Sequence, residues 1–164
     1  MHTVTPARTG MTISSARFPD DRDAVLALFA EYVAGLGVDL AFQGVDEEFA
    51  TLPGKYAPPR GQILIARDGD GRAFGCVAVR PLASGTCEMK RLYVRPEARG
   101  RDLGRQLADA IIAFARDAGY RRMVLDTLET MAPAQRLYAA LGFVQTAPYY
   151  DNPLPGVRYL GRDL

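Results

Sequence analysis

The stretch Arg99-Gly100-Arg101-Asp102-Leu103-Gly104-Arg105 constrains this chain more than any other. It follows an apolar-rich strand candidate over 89–94 and opens an amphipathic helix. Behind it Leu103, Leu107, Ala110, Ile111, Phe114 and Ala118 recur at helical spacing. Arg105, Gln106, Asp109, Arg116 and Asp117 fall mainly on the other side, and Gly119 closes the helix as a C′ glycine does. Three arginines and two glycines thus gather where a strand hands over to a helix N-terminus. Such a terminus carries unpaired backbone N–H groups and the positive end of the helix dipole. Glycine lets a ligand approach the main chain, and arginine supplies a planar, permanently charged fork for phosphate oxygens. The combination suits an anionic ligand, most simply a pyrophosphate. From these residues alone, a plain turn before an arginine-rich solvated helix start is an equal alternative.

At 164 residues the chain fits one domain with a core that needs neither disulfides nor metal. A formal net charge of +1 gives no whole-protein basic field, which argues against nucleic acid as a partner. No apolar run has the length of a membrane span, and the N-terminus lacks a basic-then-apolar signal pattern. No membrane partner is expected, and a reducing cytoplasm is the default compartment. Cys76 and Cys87 each lie in an apolar strand-like run and read as buried free thiols, with a disulfide between adjacent strands as the alternative. The single histidine is His2, no Cys/His cluster has metal-ligand spacing, and no Ser-His or Cys-His pair suggests nucleophilic catalysis. The chemistry therefore falls to carboxylates, tyrosines, backbone dipoles or a cofactor.

Residues 1–10 lack periodicity and are expected to form a disordered leader, with Met11 an alternative start; a single domain then spans 11–164. A strand over 12–18 precedes a helix with acids at its start (Asp20, Asp21, Asp23) and a buried stripe of Val25, Leu28, Phe29, Tyr32, Val33 and Leu36, closed by Gly35 and Gly37. A short helix follows over 46–52, then a loop over 53–59. Strands over 63–66 and 73–79 flank the turn Asp68-Gly69-Asp70-Gly71. The fourth strand covers 87–94. After the central helix come a strand over 123–127 and a helix with Ala134, Leu137, Tyr138 and Leu141 inside, ended by Gly142. A final strand pair uses 143–146 and 157–160. This order describes one α/β (α+β) domain without repeats.

Together these residues carry a resemblance. The order is an acidic strand, Val94-x-Pro96, Arg99-Gly100-x-x-x-Gly104, helix, strand, then Leu137-Tyr138-x-x-x-Gly142-Phe143. It resembles the GNAT superfamily of acyl-CoA-dependent N-acetyltransferases, most strongly over 86–143. The resemblance implies a mixed sheet of six or seven strands flanked by about four helices and splayed beside strand 4, where pantetheine inserts. It implies acetyl-CoA as cosubstrate, with no metal. The loop Arg99, Gly100, Arg101, Asp102, Leu103, Gly104 and Arg105 would wrap the coenzyme A pyrophosphate, mainly through backbone N–H groups. The strand Leu92-Tyr93-Val94 would bind the pantetheine arm through the main chain of Leu92 and Val94. Two positions depart from the family pattern. Asp102 stands where glycine is common and reads as a helix cap or a left-handed turn residue rather than a source of repulsion. Met131 stands seven positions before the tyrosine where asparagine is often found, so no coenzyme contact is carried to it.

Acetyl transfer needs a neutral amine, a polarised thioester carbonyl and a proton for the leaving thiolate. Glu88, on the strand feeding the loop, matches a family position used as general base in some members; a salt bridge to Lys90 or Arg91, or a substrate-binding carboxylate without a proton-transfer role, is its alternative reading. Tyr138 is the candidate general acid, since a phenol titrates near an alkyl thiol; a core aromatic with a satisfied hydroxyl is the alternative. A backbone N–H near Leu92 would polarise the carbonyl. Candidate acceptor-binding residues are Phe42, Gln43 and Glu47, and Tyr149 and Tyr150 in Tyr149-Tyr150-Asp151-Asn152-Pro153, where carboxylates and aromatic faces could receive a cationic amine; the favoured alternative is that Asp46 to Glu48 start a helix and the tyrosines pack the last strands. The expected reaction is acetylation of a small-molecule primary amine by direct attack in a ternary complex. Acetylation of a protein or peptide amine, a non-catalytic coenzyme-binding module, and an acetyl-enzyme on Cys87 are the alternatives. A homodimer is left open.

Overall fold

The computed structural model describes residues 5–6, 10–40 and 44–164. Phe42 and Gln43, and most of the expected leader over 1–10, lie outside these residues. Eight strands form one mixed sheet in the order β1-β2-β3-β4-β5-β6-β8-β7: β1 Thr5–Pro6, β2 Thr12–Ser15, β3 Gln62–Arg67, β4 Ala73–Ala83, β5 Thr86–Val94, β6 Arg122–Leu128, β7 Val144–Gln145 and β8 Val157–Asp163. β1 and β7, two residues each, are the edge strands, and the other six form the body. The helices are α1 Arg22–Leu36, α2 Val45–Ala50, α3 Leu103–Asp117 and α4 Ala132–Ala140. Among the described residues no helix is long and apolar enough to cross a membrane.

Strand alternation divides the core. Leu64, Ala66, Val77, Val79, Cys87, Met89, Met123 and Leu125 bury one sheet face against α3 and α4. Ile63, Ile65, Cys76 and Ala78 bury the other against Val25, Leu28 and Phe29 of α1. The expected α1 stripe divides there: its first half packs on the sheet, while Tyr32 and Leu36 run past it and line a groove. In α3 the buried face centres on Leu107, Ala108, Ile111, Ile112 and Ala115; Ala118 is the exposed C-cap, one residue beyond the last turn. Gly37, Gly119 and Gly142 all have positive φ, as helix-ending residues require. Both cysteines are buried and free.

Two irregularities shape the site. β5 pairs with β6 in parallel only through Thr86↔Arg122, Cys87↔Met123 and Glu88↔Val124, and beyond that the strands part. This is the expected splay, beside the strand 86–94. On its other edge β5 pairs with β4, where Cys76 faces Tyr93 but Ala78 faces Lys90. Two steps along β4 therefore match three along β5, which makes a β-bulge at Arg91 and Leu92. Arg91 has φ 61, a left-handed conformation uncommon for a residue with a Cβ.

Candidate active site

Where β5 and β6 separate, the gap becomes a groove. Residues 89–92 of β5 and 125–128 of β6 form its walls. Tyr32, Leu36, Val38 and Leu40 border it on the α1 side, Met131 and Tyr138 on the α4 side, and Asn152, Leu154 and Val157 at the end of the chain.

At one end of this groove β5 leads into the arginine loop. Gly100 (φ 79) and Asp102 (φ 63) are both left-handed and curl the main chain into the start of α3. Asp102 makes no side-chain capping bond, so of its two expected roles it fills the left-handed turn. The first amide of α3 to find a carbonyl is that of Gln106, which donates to Asp102 O at 3.1 Å. Among the described residues, the amides of Leu103, Gly104 and Arg105 have no main-chain acceptor and point out of the helix end. Leu103 is 1% exposed, so its side chain belongs to the core and it serves an anion only through its main chain. A Cβ on Gly104 would stand 3.8 Å from Val94 and from Leu137, so the helix start lies against the end of β5 and against α4. Arg99 is fixed: its Nε donates to Val94 O at 2.9 Å and its guanidinium lies 5.9 Å from the Tyr93 ring centre. Arg101 and Arg105 are exposed, Arg105 3.8 Å from Asp109 one turn on. Amides, two left-handed residues and three cations thus converge on one concave, positively charged loop.

Tyr138 projects from α4 into the groove and packs edge-on against Phe143, ring centres 5.9 Å apart. Among the described residues it makes no hydrogen bond, so the alternative of a satisfied core hydroxyl is not what the side chain shows. Burial pushes its pKa above the usual phenol value, with smaller contributions from Tyr32 and Asp126. Leu92 lines the same groove, at the bulge that takes its main chain out of register with β4.

Glu88 is 1% exposed, and both of its oxygens are engaged. Oε1 accepts from Arg80 Nε at 2.9 Å, and Oε2 accepts from the Tyr149 hydroxyl at 2.5 Å. Its ion pair is with Arg80, directly across the β4–β5 ladder, rather than with Lys90 or Arg91. Tyr150 does the parallel thing one strand over: its hydroxyl donates to Asp126 on β6. Asn152 Nδ2 joins them, 2.8 Å from Tyr150 Oη and 3.3 Å from Asp126. The rings of Tyr149, Tyr150 and Tyr159 pack tilted or edge-to-face at 5.4 to 5.8 Å, which ties the segment to β8. Glu47 is exposed on α2 and borders a separate cleft with Glu48, Lys55, Tyr56 and Arg80.

Several residues of the site escaped the sequence reading. Asp126 lines the groove, and its signal was a carboxylate inside the apolar run Met123-Val124-Leu125. Lys90, 7% exposed, lines it from β5; burial lowers its pKa while Glu88 and Asp126 oppose that shift. Arg91 is gripped by Glu48 of α2 through two 3.0 Å contacts, and Tyr56 donates to the same carboxylate at 3.1 Å. Cys87 lies on the opposite sheet face, donates to Arg122 O at 3.6 Å, and burial pushes its thiol up to about 12.

Comparison with known proteins agrees with this geometry. The family model described as Acetyltransferase (GNAT) family matches residues 27–143. An uncharacterized N-acetyltransferase of Schizosaccharomyces pombe is 51% identical over 153 residues, which cover 93% of this chain and 94% of that protein. The IAA acetyltransferase of Azospirillum brasilense is 36% identical over 138 residues, 84% of this chain and 88% of its own. Among solved structures, an acetyltransferase from Streptococcus agalactiae superposes with a TM-score of 0.78 at 26% identity, covering 94% of this chain and 99% of that one.

Proposed function

The chain belongs to the GNAT family of acetyltransferases, and on that premise we propose that it moves the acetyl group of acetyl-CoA directly onto a primary amine of a small molecule. The observation that carries this reading is the splay of β5 from β6, which joins Leu92, Tyr138 and Asp126 in one groove beside the strand that leads into the arginine loop. The loop fits a diphosphate: three outward amides at a helix start, two left-handed residues and the guanidinium of Arg99 make an anion cradle. Bound there, acetyl-CoA supplies the thioester.

The protein's own residues then have three tasks. Leu92, lifted out of the ladder by the bulge, turns its N–H toward the carbonyl oxygen and polarises it. Tyr138 holds a proton at Oη for the departing thiolate. Burial raises its pKa above the ordinary phenol value, so the hydroxyl is protonated at neutral pH and has a proton to give. Tyr149, Arg80 and Glu88 form a closed cluster beside the groove. In this reading Glu88 bears on the base step by holding Tyr149 in place, because neither of its oxygens is left over for the amine. Direct attack is favoured over an acetyl-enzyme, since Cys87 is buried on the far face with its thiol held protonated. The buried free thiols of Cys76 and Cys87 suit a reducing compartment such as the cytoplasm.

Asn152, Leu154 and Val157 close over the groove, which favours a small acceptor over a protein tail. Calorimetry with acetyl-CoA, followed by coenzyme A release against free amines and lysine or N-terminal peptides, tests the assignment. Saturable binding with turnover of free amines supports it. Absence of binding, or turnover of peptides alone, overturns it.

A further inference from the structure

Three cations and three anions lie in or beside the groove: Arg80, Lys90 and Arg91 of the sheet, with Glu88 and Asp126 of the sheet and Glu48 of α2; Lys90, Arg91 and Asp126 line it. The Arg80 and Arg91 charges are answered by Glu88 and Glu48 at 2.9 and 3.0 Å. Lys90 and Asp126 are placed differently. The last parallel pair is Glu88↔Val124, and each of these two residues lies two positions further along its strand. Successive side chains alternate, so they share one sheet face at one level, across the opening from each other. Both line the groove. An ammonium on one wall therefore stands opposite a carboxylate on the other, and the groove also offers apolar surface from Leu36, Val38, Leu40, Leu154 and Val157 beside the polar Arg91, Thr127 and Asn152.

We propose that the acceptor is a free amino acid with an apolar side chain, its carboxylate received by Lys90 of β5 and its ammonium by Asp126 of β6. This names the substrate class of the acceptor site and rests on the reading of the groove as that site. A ligand with one charge of each sign, carried on two substituents of a single α-carbon, matches a groove that offers one of each from facing walls. A simple alkylamine would meet only Asp126, whereas a free amino acid meets both walls. The amine next to the carboxylate is then the group presented to Leu92 and Tyr138. Asp126 is steadied for this by Tyr150 and Asn152, which hydrogen-bond to it from the covering segment.

The test uses the full chain with acetyl-CoA and measures coenzyme A release with leucine, leucinamide and isoamylamine. Leucine keeps both charges, leucinamide lacks the carboxylate, and isoamylamine lacks it together with the α-carbon pattern. The expected result is a kcat/KM for leucine at least about tenfold above either analogue, the worth of one charge-assisted hydrogen bond. Lys90→Met should abolish the preference for leucine over leucinamide, and Lys90→Arg should restore part of it. Equal rates for leucine and leucinamide on the unaltered enzyme overturn the proposal, whatever the variants do. So does a Lys90→Met enzyme that loses all acceptors equally. Turnover of isoamylamine without preference for leucine sinks this inference alone and leaves the proposed function standing. Failure of acetyl-CoA to bind, or of every free amine to react, sinks both.

Discussion

Glu48 grips Arg91 at the point where β5 departs from regular pairing: Oε2 accepts from Nε and Oε1 from Nη2, each at 3.0 Å. Arg91 is left-handed at φ 61 and 4% exposed, and its guanidinium lies 5.7 Å from the Tyr32 ring centre. A non-glycine residue in that region costs on the order of 1–3 kcal/mol, so the surroundings must hold it there. The bidentate pair, itself ordered by Tyr56, is the evident hold.

The bulge places Leu92, so Glu48 acts on the reaction through Arg91 as a positioning residue. Glu48→Gln should cost on the order of 1.5–3 kcal/mol of stability and lower kcat about tenfold, with acetyl-CoA affinity retained. Glycine adopts positive φ without strain. The double variant Glu48→Gln with Arg91→Gly should therefore recover kcat relative to Glu48→Gln alone. A double variant as slow as the single one would show that the pair does not serve the bulge.

Tyr138→Phe removes the proton donor and keeps the ring that packs on Phe143. The expected outcome is a fall in kcat on the order of a hundredfold with an unchanged dissociation constant for acetyl-CoA. The loss should shrink with thioesters whose thiol is a better leaving group, because those need the proton less. Rates equal to the parent across that series would take Tyr138 out of the chemistry.

Asp102 puts a carboxylate in an anion cradle and a Cβ at φ 63, without a capping bond in return. Asp102→Gly should leave stability unchanged or raise it by about 0.5 kcal/mol, the relief of the left-handed strain offset by a freer unfolded chain. It should also tighten acetyl-CoA binding, and more at low salt than at high, since a like charge is removed. Weaker binding by calorimetry would show that Asp102 contributes a contact to the coenzyme.

What was legible in the sequence was local. The arginine loop, its helix and the closing glycines Gly37, Gly119 and Gly142 are set by residues adjacent in the chain, and all appear where expected. The final strand pair forms, but β7 shortens to Val144–Gln145 because Phe143 turns into the core beside Tyr138. What escaped depends on register. Arg80 lies directly opposite Glu88 only because β4 and β5 pair as they do, so nearest-neighbour reasoning pointed to Lys90 and Arg91 instead. Arg91 is turned away by a bulge that carries no glycine to announce it. Lys90 and Asp126 come level only through a parallel pairing 36 residues apart in sequence, which no short motif encodes.

The same buried tyrosines predict how the fold fails in base. Tyr32 is pushed up to about 12 by burial, against the lowering effect of Arg91, and Tyr56, Tyr138 and Tyr149 are also raised, each chiefly by burial. In the unfolded chain all four ionise near pH 10. The folded state therefore holds their protons where the unfolded state releases them, and stability falls as pH rises. The contribution is fully present below about pH 10 and drains away as pH climbs through 12. Phenolate absorbance near 295 nm, followed with far-ultraviolet circular dichroism during an alkaline titration, should show two phases. Ionisation outside this set comes first with the dichroism intact, and Tyr32, Tyr56, Tyr138 and Tyr149 ionise together with its collapse. Complete ionisation of all eight tyrosines before any loss of dichroism would mean that these hydroxyls are open to solvent, and with them the groove that Tyr32 and Tyr138 line.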